Sequence, residues 1–253
     1  MFRVLRERIR QRYRTVRFPV PDSSLPERFR GLPVIDSLRC TRECVSCANA
    51  CPSGAILRSD RDISIDLGKC LFCSSCSAAC GRSAIYHSRN YRLAAFSREA
   101  LIFKAGTVPA AASTLRKDIK RIFGRSLKLR QVSAGGCNAC EADVNVLNTI
   151  AYDLGRFGIQ FVASPRHADG LLVTGPVSVN MRSALLDTYA AVPEPKIVIA
   201  CGACAISGGL YNGHPETCGG ITSVFPVDLF IPGCPPHPFT ILDGLLRLIG
   251  RIK

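Results

Sequence analysis

The sequence predicts a two-part chain: a small cysteine-rich α+β domain, then an α/β domain on a doubly wound parallel sheet. Three observations predict it. Eight of the 14 cysteines fall into two tight groups between residues 40 and 80. Beyond residue 126, short apolar runs rich in Val, Ile and Leu alternate with longer segments of helical texture. Such alternation argues for parallel strands covered by helices on both faces. The length, 253 residues, suits one large domain or two small ones.

The elements follow in order. Residues 1–18 pattern as a basic amphipathic helix, with Phe2, Leu5, Ile9, Tyr13 and Val16 at steps of three and four. Arg3, Arg6, Arg8, Arg10, Arg12 and Arg14 cover most of the remainder. Such a helix can lie in the headgroup layer of a membrane, dock on a partner, or pack on its own domain. Surface anchoring is the expectation. Residues 19–34 are Pro-rich and extended, and residues 35–90 hold the first cysteine groups. Residues 91–125 connect, through the loop AGTVPAAAST and the basic stretch LRKDIKRIFGR, which reads as helix. Strands are expected over 126–132, 159–163, 170–174, 196–200 and 227–231, and helices over 141–154, 178–191 and 236–250. The domain boundaries drawn are 1–18 for the basic helix, 19–103 for the cysteine-rich domain, 104–125 for the linker and 126–253 for the α/β domain.

No apolar run approaches the roughly 20 residues that span a bilayer. The start MFRVLRERIRQRYR has no apolar stretch of the kind a secretory signal needs. The expectation is a reducing compartment, where many cysteines read as metal ligands rather than disulfides. The net charge of +14 is one a nucleic-acid surface could use. Much of it lies in the first 30 residues, and bound clusters of negative charge would offset part of the rest. Nucleic acid is therefore not the expected partner.

The first cysteine group is Cys40-x3-Cys44-x2-Cys47-x3-Cys51-Pro52 and the second Cys70-x2-Cys73-x2-Cys76-x3-Cys80. The bacterial two-cluster ferredoxin run is C-x2-C-x2-C-x3-C-P, and the fourth cysteine of each run serves the other cluster. Three close cysteines wrap one cubane; the next helical turn carries the fourth away. On this logic Cys40, Cys44, Cys47 and Cys80 hold one [4Fe–4S] cluster, and Cys70, Cys73, Cys76 and Cys51 hold another. Two departures stand out: the first gap holds three residues, and Gly81 stands where a second proline is common. Neither removes a ligand. Zinc is the alternative for CxxC pairs, but two interlocked four-cysteine runs favour iron–sulfur. The segments FRGLPVID, ACPSGAI and DLGKCLFC resemble the ferredoxin-type subunit of formate hydrogenlyase and hydrogenase-4 complexes. They are similar, more distantly, to the two-cluster subunit of respiratory complex I.

Later cysteines sit just after expected strands: Cys137 and Cys140 in GGCNACE, Cys204 in GACAISGG, and Cys234 in PGCPP. Loops at the carboxyl ends of parallel strands converge where such sheets bind ligands. Adjacent glycines let backbone approach a bulky group, and a helix N-terminus after Cys137 favours negative charge. Four thiolates there suit a third iron–sulfur cluster or zinc. The segments GGCNACE, FGIQFVASPRHAD, VTGPVS, GACAISGGLY and VDLFIPGCPP resemble the small subunit of group 4, energy-converting [NiFe]-hydrogenases. That family is similar to the complex I subunit carrying the terminal [4Fe–4S] cluster.

The resemblance implies a flavodoxin-like fold and a third [4Fe–4S] cluster on Cys137, Cys140, Cys204 and Cys234. Complex I has adjacent cysteines at the first site, whereas this chain has a CxxC, as hydrogenases do. Cys201 is expected as a buried strand-end residue and Cys218 as a bystander. Glu141 and Asp143 are plain helix-dipole partners or, as the resemblance implies, part of a proton path toward a large subunit. His167 is given no ligand role. The whole reads as an electron-transfer subunit without catalytic residues, passing electrons to or from a large hydrogenase-like subunit. Its implied partners are that subunit, membrane-arm subunits, and a donor or acceptor such as formate dehydrogenase or ferredoxin. Its implied place is peripheral, on the cytoplasmic face of the membrane. The alternative is a nickel-free, complex I-like oxidoreductase serving quinone or an ion pump. An iron–sulfur sensor role would call for a DNA-binding or signalling domain, and none is readable.

Overall fold

The computed structural model describes residues 2–21, 25–41, 43–59, 62–107, 123 and 126–252. In the cysteine-rich half, strand Pro33–Ile35 (β1) pairs antiparallel with Ile85–His87 (β4). A second sheet joins Ile56–Arg58 (β2), Ile63–Asp66 (β3) and Ile102–Lys104 (β5) in the order β2-β3-β5. The sequence reading placed no strands here. Each is only three or four residues long, too short for alternation to declare itself. Their inward residues Ile35, Ile56, Ile63, Ile65, Ile85 and Phe103 are nonetheless all buried.

The other half carries five parallel strands: Leu127–Ser133 (β6), Ile159–Phe161 (β7), Gly170–Thr174 (β8), Ile197–Cys201 (β9) and Leu229–Ile231 (β10). Their spatial order is β10-β9-β8-β6-β7. Counted from the first strand of the sheet this is 2-1-3-4-5, the flavodoxin-like order, with its reversal between β6 and β8. β8 and β9 are buried at every residue, as central strands covered on both faces must be.

Seven α-helices are described: Phe2–Gln11 (α1), Ser46–Asn49 (α2), Ser75–Ala78 (α3), Ala139–Val146 (α4), Val179–Ala191 (α5), Ala203–Ser207 (α6) and Pro238–Leu248 (α7). α7 is buried along its whole length. It starts where Pro238 presets the first turn and His237 Nδ1 accepts the Phe239 N–H at 3.2 Å.

Two helices end earlier than the sequence predicts. α1 stops at Gln11, short of residue 18, because Arg12 adopts a left-handed φ of 52°. α4 ends at Val146 rather than 154, and Leu154–Phe157 is a separate 3-10 turn. The expected helix over 115–125 lies outside the described residues apart from Phe123, which is buried in the core of the α/β half.

The two halves share one interior. Leu32, Ile65 and Leu101 belong to the same apolar cluster as Ala134, Ile206 and Phe230. Ala95 exchanges two backbone hydrogen bonds with Phe230, 3.0 and 2.8 Å, so the chain leaving the cysteine-rich half covers the β10 edge of the parallel sheet. The N-terminal segment binds both. The Tyr91 hydroxyl meets the Val20 N–H and C=O at 3.1 and 3.0 Å. Phe18 packs on Tyr91 and Phe239 with ring centroids 6.1 Å away in each case.

Candidate metal centres

The two cysteine runs fold into matching halves. α2 carries Cys47 and α3 carries Cys76. Cys44 Sγ lies 3.5 Å from Ser46 Oγ, and Cys73 Sγ 3.3 Å from Ser75 Oγ. The fourth thiol of each run accepts a backbone N–H, from Ala55 to Cys51 and from Ala84 to Cys80, both at 3.2 Å. Hydrogen bonds of this kind are among the levers that set a cluster's potential.

Cys40, Cys44, Cys47 and Cys80 surround one cavity of about 210 Å³. The Cys47 thiol is pushed up by burial and then by Cys40 and Cys44 beside it. The second set is equally mixed. Burial pushes Cys70 up to about 12, and Cys76, Cys51 and Cys73 add to it. In both places the fourth cysteine of one run stands with the first three of the other. Among the described residues no three His, Cys, Asp or Glu side chains converge on a single-ion position.

The third set lies at the carboxyl ends of three strands. Cys137 and Cys140 follow β6, Cys204 sits in α6 after β9, and Cys234 follows β10. Burial raises the Cys140 thiol most, with Glu141, Cys204, Cys234 and Cys137 adding charge repulsion. Burial likewise raises Cys204 to about 11, with Cys234 and Cys137 contributing. Two glycines leave room for the thiols. A Cβ on Gly202 would fall 2.6 Å from Cys140 Sγ, and one on Gly209 2.7 Å from Cys204 Sγ. Both have positive φ, 94° and 57°. Thiols this buried stay protonated unless a cation draws the proton off, which is what iron does on binding. Soft donors gathered in fours therefore fit [4Fe–4S] clusters.

The other residues singled out in the sequence take definite places. Cys201 ends β9, and full burial holds its thiol well above the ordinary range. Cys218 is half-buried in a loop, its N–H bonded to the Val177 carbonyl at 2.8 Å. Glu141 is buried, and its Oε1 accepts both the Ser133 and Thr174 hydroxyls, at 2.5 and 2.6 Å. Asp143 instead lines an open cleft of about 290 Å³ with Arg28, Arg30, Phe72, Gly233 and His237. His167 closes the 3-10 turn Pro165–His167, which precedes β8, whereas the third set of thiols follows the carboxyl ends of its strands.

Sequence reasoning missed what joins the second and third sets. Cys73 lies close enough to Cys234 for its charge to raise the Cys234 thiol, after burial and Cys137. The turn before Cys70 is locked by buried Asp66, which accepts from Arg98 at 2.7 and 2.5 Å and from the Gly68 N–H at 2.9 Å. The Ser207 hydroxyl then donates to the Gly68 carbonyl at 2.9 Å. Arg30 donates to the carbonyls of Phe72 and Cys73, both at 3.3 Å. Only the motif DLGKC hinted at the turn; its docking on α6 is a tertiary fact.

A dicluster module continuous with a flavodoxin-like domain bearing four convergent thiols defines an electron-transfer subunit of the iron–sulfur class. Comparison with known proteins agrees. Residues 32–81 match the 4Fe-4S dicluster domain, and residues 137–248 match the 20 kDa subunit of NADH ubiquinone oxidoreductase. The chain is 40% identical to formate hydrogenlyase subunit 7 of Escherichia coli over 58% of each chain. It is 42% identical to a probable membrane-bound hydrogenase subunit of Pyrococcus furiosus, over 52% of this chain and 79% of that one. An NADH-quinone oxidoreductase subunit of Desulfovibrio desulfuricans is 43% identical over 45% of this chain and 61% of its own length. The chain belongs to the family of the complex I 20 kDa subunit and its membrane-bound hydrogenase relatives, with a dicluster ferredoxin domain in the same polypeptide.

Proposed function

We propose that this chain is the iron–sulfur electron-transfer subunit of a membrane-associated [NiFe]-hydrogenase complex of the formate hydrogenlyase or hydrogenase-4 kind. Cys40, Cys44, Cys47 and Cys80 would hold one [4Fe–4S] cluster, Cys70, Cys73, Cys76 and Cys51 the second, and Cys137, Cys140, Cys204 and Cys234 the third. When bound, these clusters supply one-electron transfer. The observation that carries the reading is the 2.9 Å hydrogen bond from Ser207 to the Gly68 carbonyl, which ties the helix of Cys204 to the turn before Cys70. It sets the second and third groups of thiols side by side, and the interlocked runs set the first beside the second.

The chain's own residues fix that arrangement. Gly68 and Ser207 clamp the loop before Cys70 onto the helix that carries Cys204. Phe72, Pro235 and Pro236 line the gap with apolar surface. Cys44, at the outer end, is exposed and faces the electron-exchanging partner, a formate dehydrogenase or a ferredoxin in this reading. The loops of Cys137 and Cys234, both exposed, face the large subunit, and membrane-arm subunits complete the complex. Of the two acidic residues, Asp143 opens on the cleft and is the better placed to pass a proton, since Glu141 already accepts two hydroxyls on one oxygen. Attachment in this reading is peripheral and on the cytoplasmic face; among the described residues no helix is long and apolar enough to cross a membrane.

Relatives named as NADH-quinone oxidoreductase subunits favour a second reading, a nickel-free complex serving quinone or an ion pump. One sample separates the two. The tagged chain is purified anaerobically with its native partners, and iron, nickel and hydrogen-dependent dye reduction are measured together. Nickel in proportion to the chain, with hydrogen activity, supports the hydrogenase reading. Abundant iron with neither supports the second.

A further inference from the structure

α1 has no cover from the rest of the chain. None of its residues is buried, and Phe2, Leu5 and Ile9 are 85%, 58% and 70% exposed. At 100° per residue these three fall on one stripe, flanked by Arg6 on one side and Arg8 on the other. Residues 2–18 hold seven arginines, Arg17 included, and one acid, Glu7. An ordinary surface helix would turn its apolar stripe inward; this one keeps it in solvent.

The helix is nevertheless fixed to the body. Its end is set by Arg12, whose carbonyl accepts from the Arg8 guanidinium at 3.0 Å. Four residues on, the Val16 N–H donates to the Ala151 carbonyl at 2.7 Å, and Arg156 donates to the Val16 carbonyl at 2.6 Å. Phe18 then enters the aromatic cluster with Tyr91, Phe157 and Phe239. Beside that anchor Ile150 is 69% exposed. The helix thus projects from a rigid foot that bears a further apolar side chain.

We infer that α1 is an interfacial helix that seats this chain on a bilayer of anionic lipid. Two features select that occupant. A nucleic acid would pair with the arginines and leave Phe2, Leu5 and Ile9 in water. A bilayer interface takes both: apolar side chains enter the acyl boundary while arginine stems lie along it and their heads meet phosphate. Each arginine near an anionic surface strengthens binding by roughly fivefold at physiological salt, so a stripe of three large residues with this many arginines is enough for reversible attachment. This rests on the peripheral placement proposed above and names the element and the lipid chemistry responsible.

The test is flotation of the purified full chain with vesicles of pure phosphatidylcholine, and of phosphatidylcholine with about one third phosphatidylglycerol. Binding to the anionic vesicles, weakened by salt, is expected. Arg3→Gln with Arg6→Gln should weaken it by an order of magnitude or more. Ile9→Ser should weaken binding on both sides of a salt titration without flattening its slope. Equal recovery on both vesicles, or no change in the variants, overturns the inference. So does failure to float when the same chain is retained on membranes only through its partner subunits, which would make α1 a protein-docking helix. Iron content of each sample is a separate readout: a chain without iron but with intact vesicle binding counts against the cluster assignment and leaves this inference standing.

Discussion

The Ser207 hydroxyl donates to the Gly68 carbonyl at 2.9 Å and to the Ala203 carbonyl of its own helix at 3.1 Å. One side chain thereby ties the turn that leads into Cys70 to the short helix that carries Cys204. Gly68 has no room for anything larger, since an added Cβ would meet Ile206 at 2.8 Å and Arg98 at 2.9 Å. Ser207→Ala leaves one carbonyl without its donor and should cost about 1 kcal/mol. Gly68→Ala pushes the turn off α6 and should cost more. Both are checked anaerobically by the urea concentration at which the visible absorbance of the clusters bleaches. The expected order of resistance is wild type, then Ser207→Ala, then Gly68→Ala. A Gly68→Ala chain as resistant as wild type would show that the two surfaces are not in close contact.

Asp66 makes the next prediction. Its carboxylate is 2% exposed and neutralised by the paired hydrogen bonds from Arg98. Planar two-point pairing of this kind is specific to arginine. Arg98→Met removes the cation and leaves the carboxylate buried, a change that costs roughly 3–5 kcal/mol. Asp66→Asn together with Arg98→Met removes the stranded charge and should recover a large part of that loss. Bleaching midpoints of the two single variants and the double variant give the coupling directly. Simple additivity would exclude the ion pair as the lock.

Much of this was legible in the sequence, for physical reasons. Strands Gly170–Thr174 and Ile197–Cys201 are central, so they read as unbroken apolar runs with turn residues at their ends. The cysteine spacings were legible because a cubane demands thiols at fixed steps along the chain. What could not be read depends on contacts between distant segments. The strands at Pro33–Ile35 and Ile85–His87 exist through each other, not through their own pattern. Arg12 carries no mark in the sequence that it will turn left-handed and stop α1. Asp66 and Ser207 look like ordinary polar residues until the fold puts Arg98 beside one and Gly68 beside the other.

The cysteines allow a direct discrimination. Cys234 lies among Cys137, Cys140 and Cys204, whereas Cys218 sits in its own loop and Cys201 is sealed at the end of a strand. Cys234→Ala should lower iron per chain by up to one cluster's worth and remove one component of the reduced-state electron paramagnetic resonance spectrum. Cys218→Ala should change neither. Cys201→Ala should keep the iron and lose some stability, since it shortens a buried side chain. Equal iron loss in Cys234→Ala and Cys218→Ala would overturn the assignment of ligands.

Arg30 carries the last prediction. Its guanidinium holds the carbonyls of Phe72 and Cys73 at the mouth of the cleft facing Gly233 and His237. Burial works to raise the Cys73 thiol, yet hydrogen bonds from Ser75 and the Arg30 charge are among the influences that bring it below its ordinary value. A cation favours the more negative, reduced form of a neighbouring cluster for the same reason that it favours a thiolate over a thiol. Arg30→Gln keeps a hydrogen-bond donor there and removes the charge, so the potential of the cluster on Cys70, Cys73, Cys76 and Cys51 should fall. Arg30 is exposed to solvent, and screening limits the drop to the order of tens of millivolts. Redox titration followed by electron paramagnetic resonance should show that one component move while the one assigned to Cys40, Cys44, Cys47 and Cys80 stays in place. Arg30→Lys, which keeps the charge but not the two-carbonyl grip, should retain most of the potential. If Lys and Gln shift it equally, Arg30 acts by holding the loop rather than by its charge.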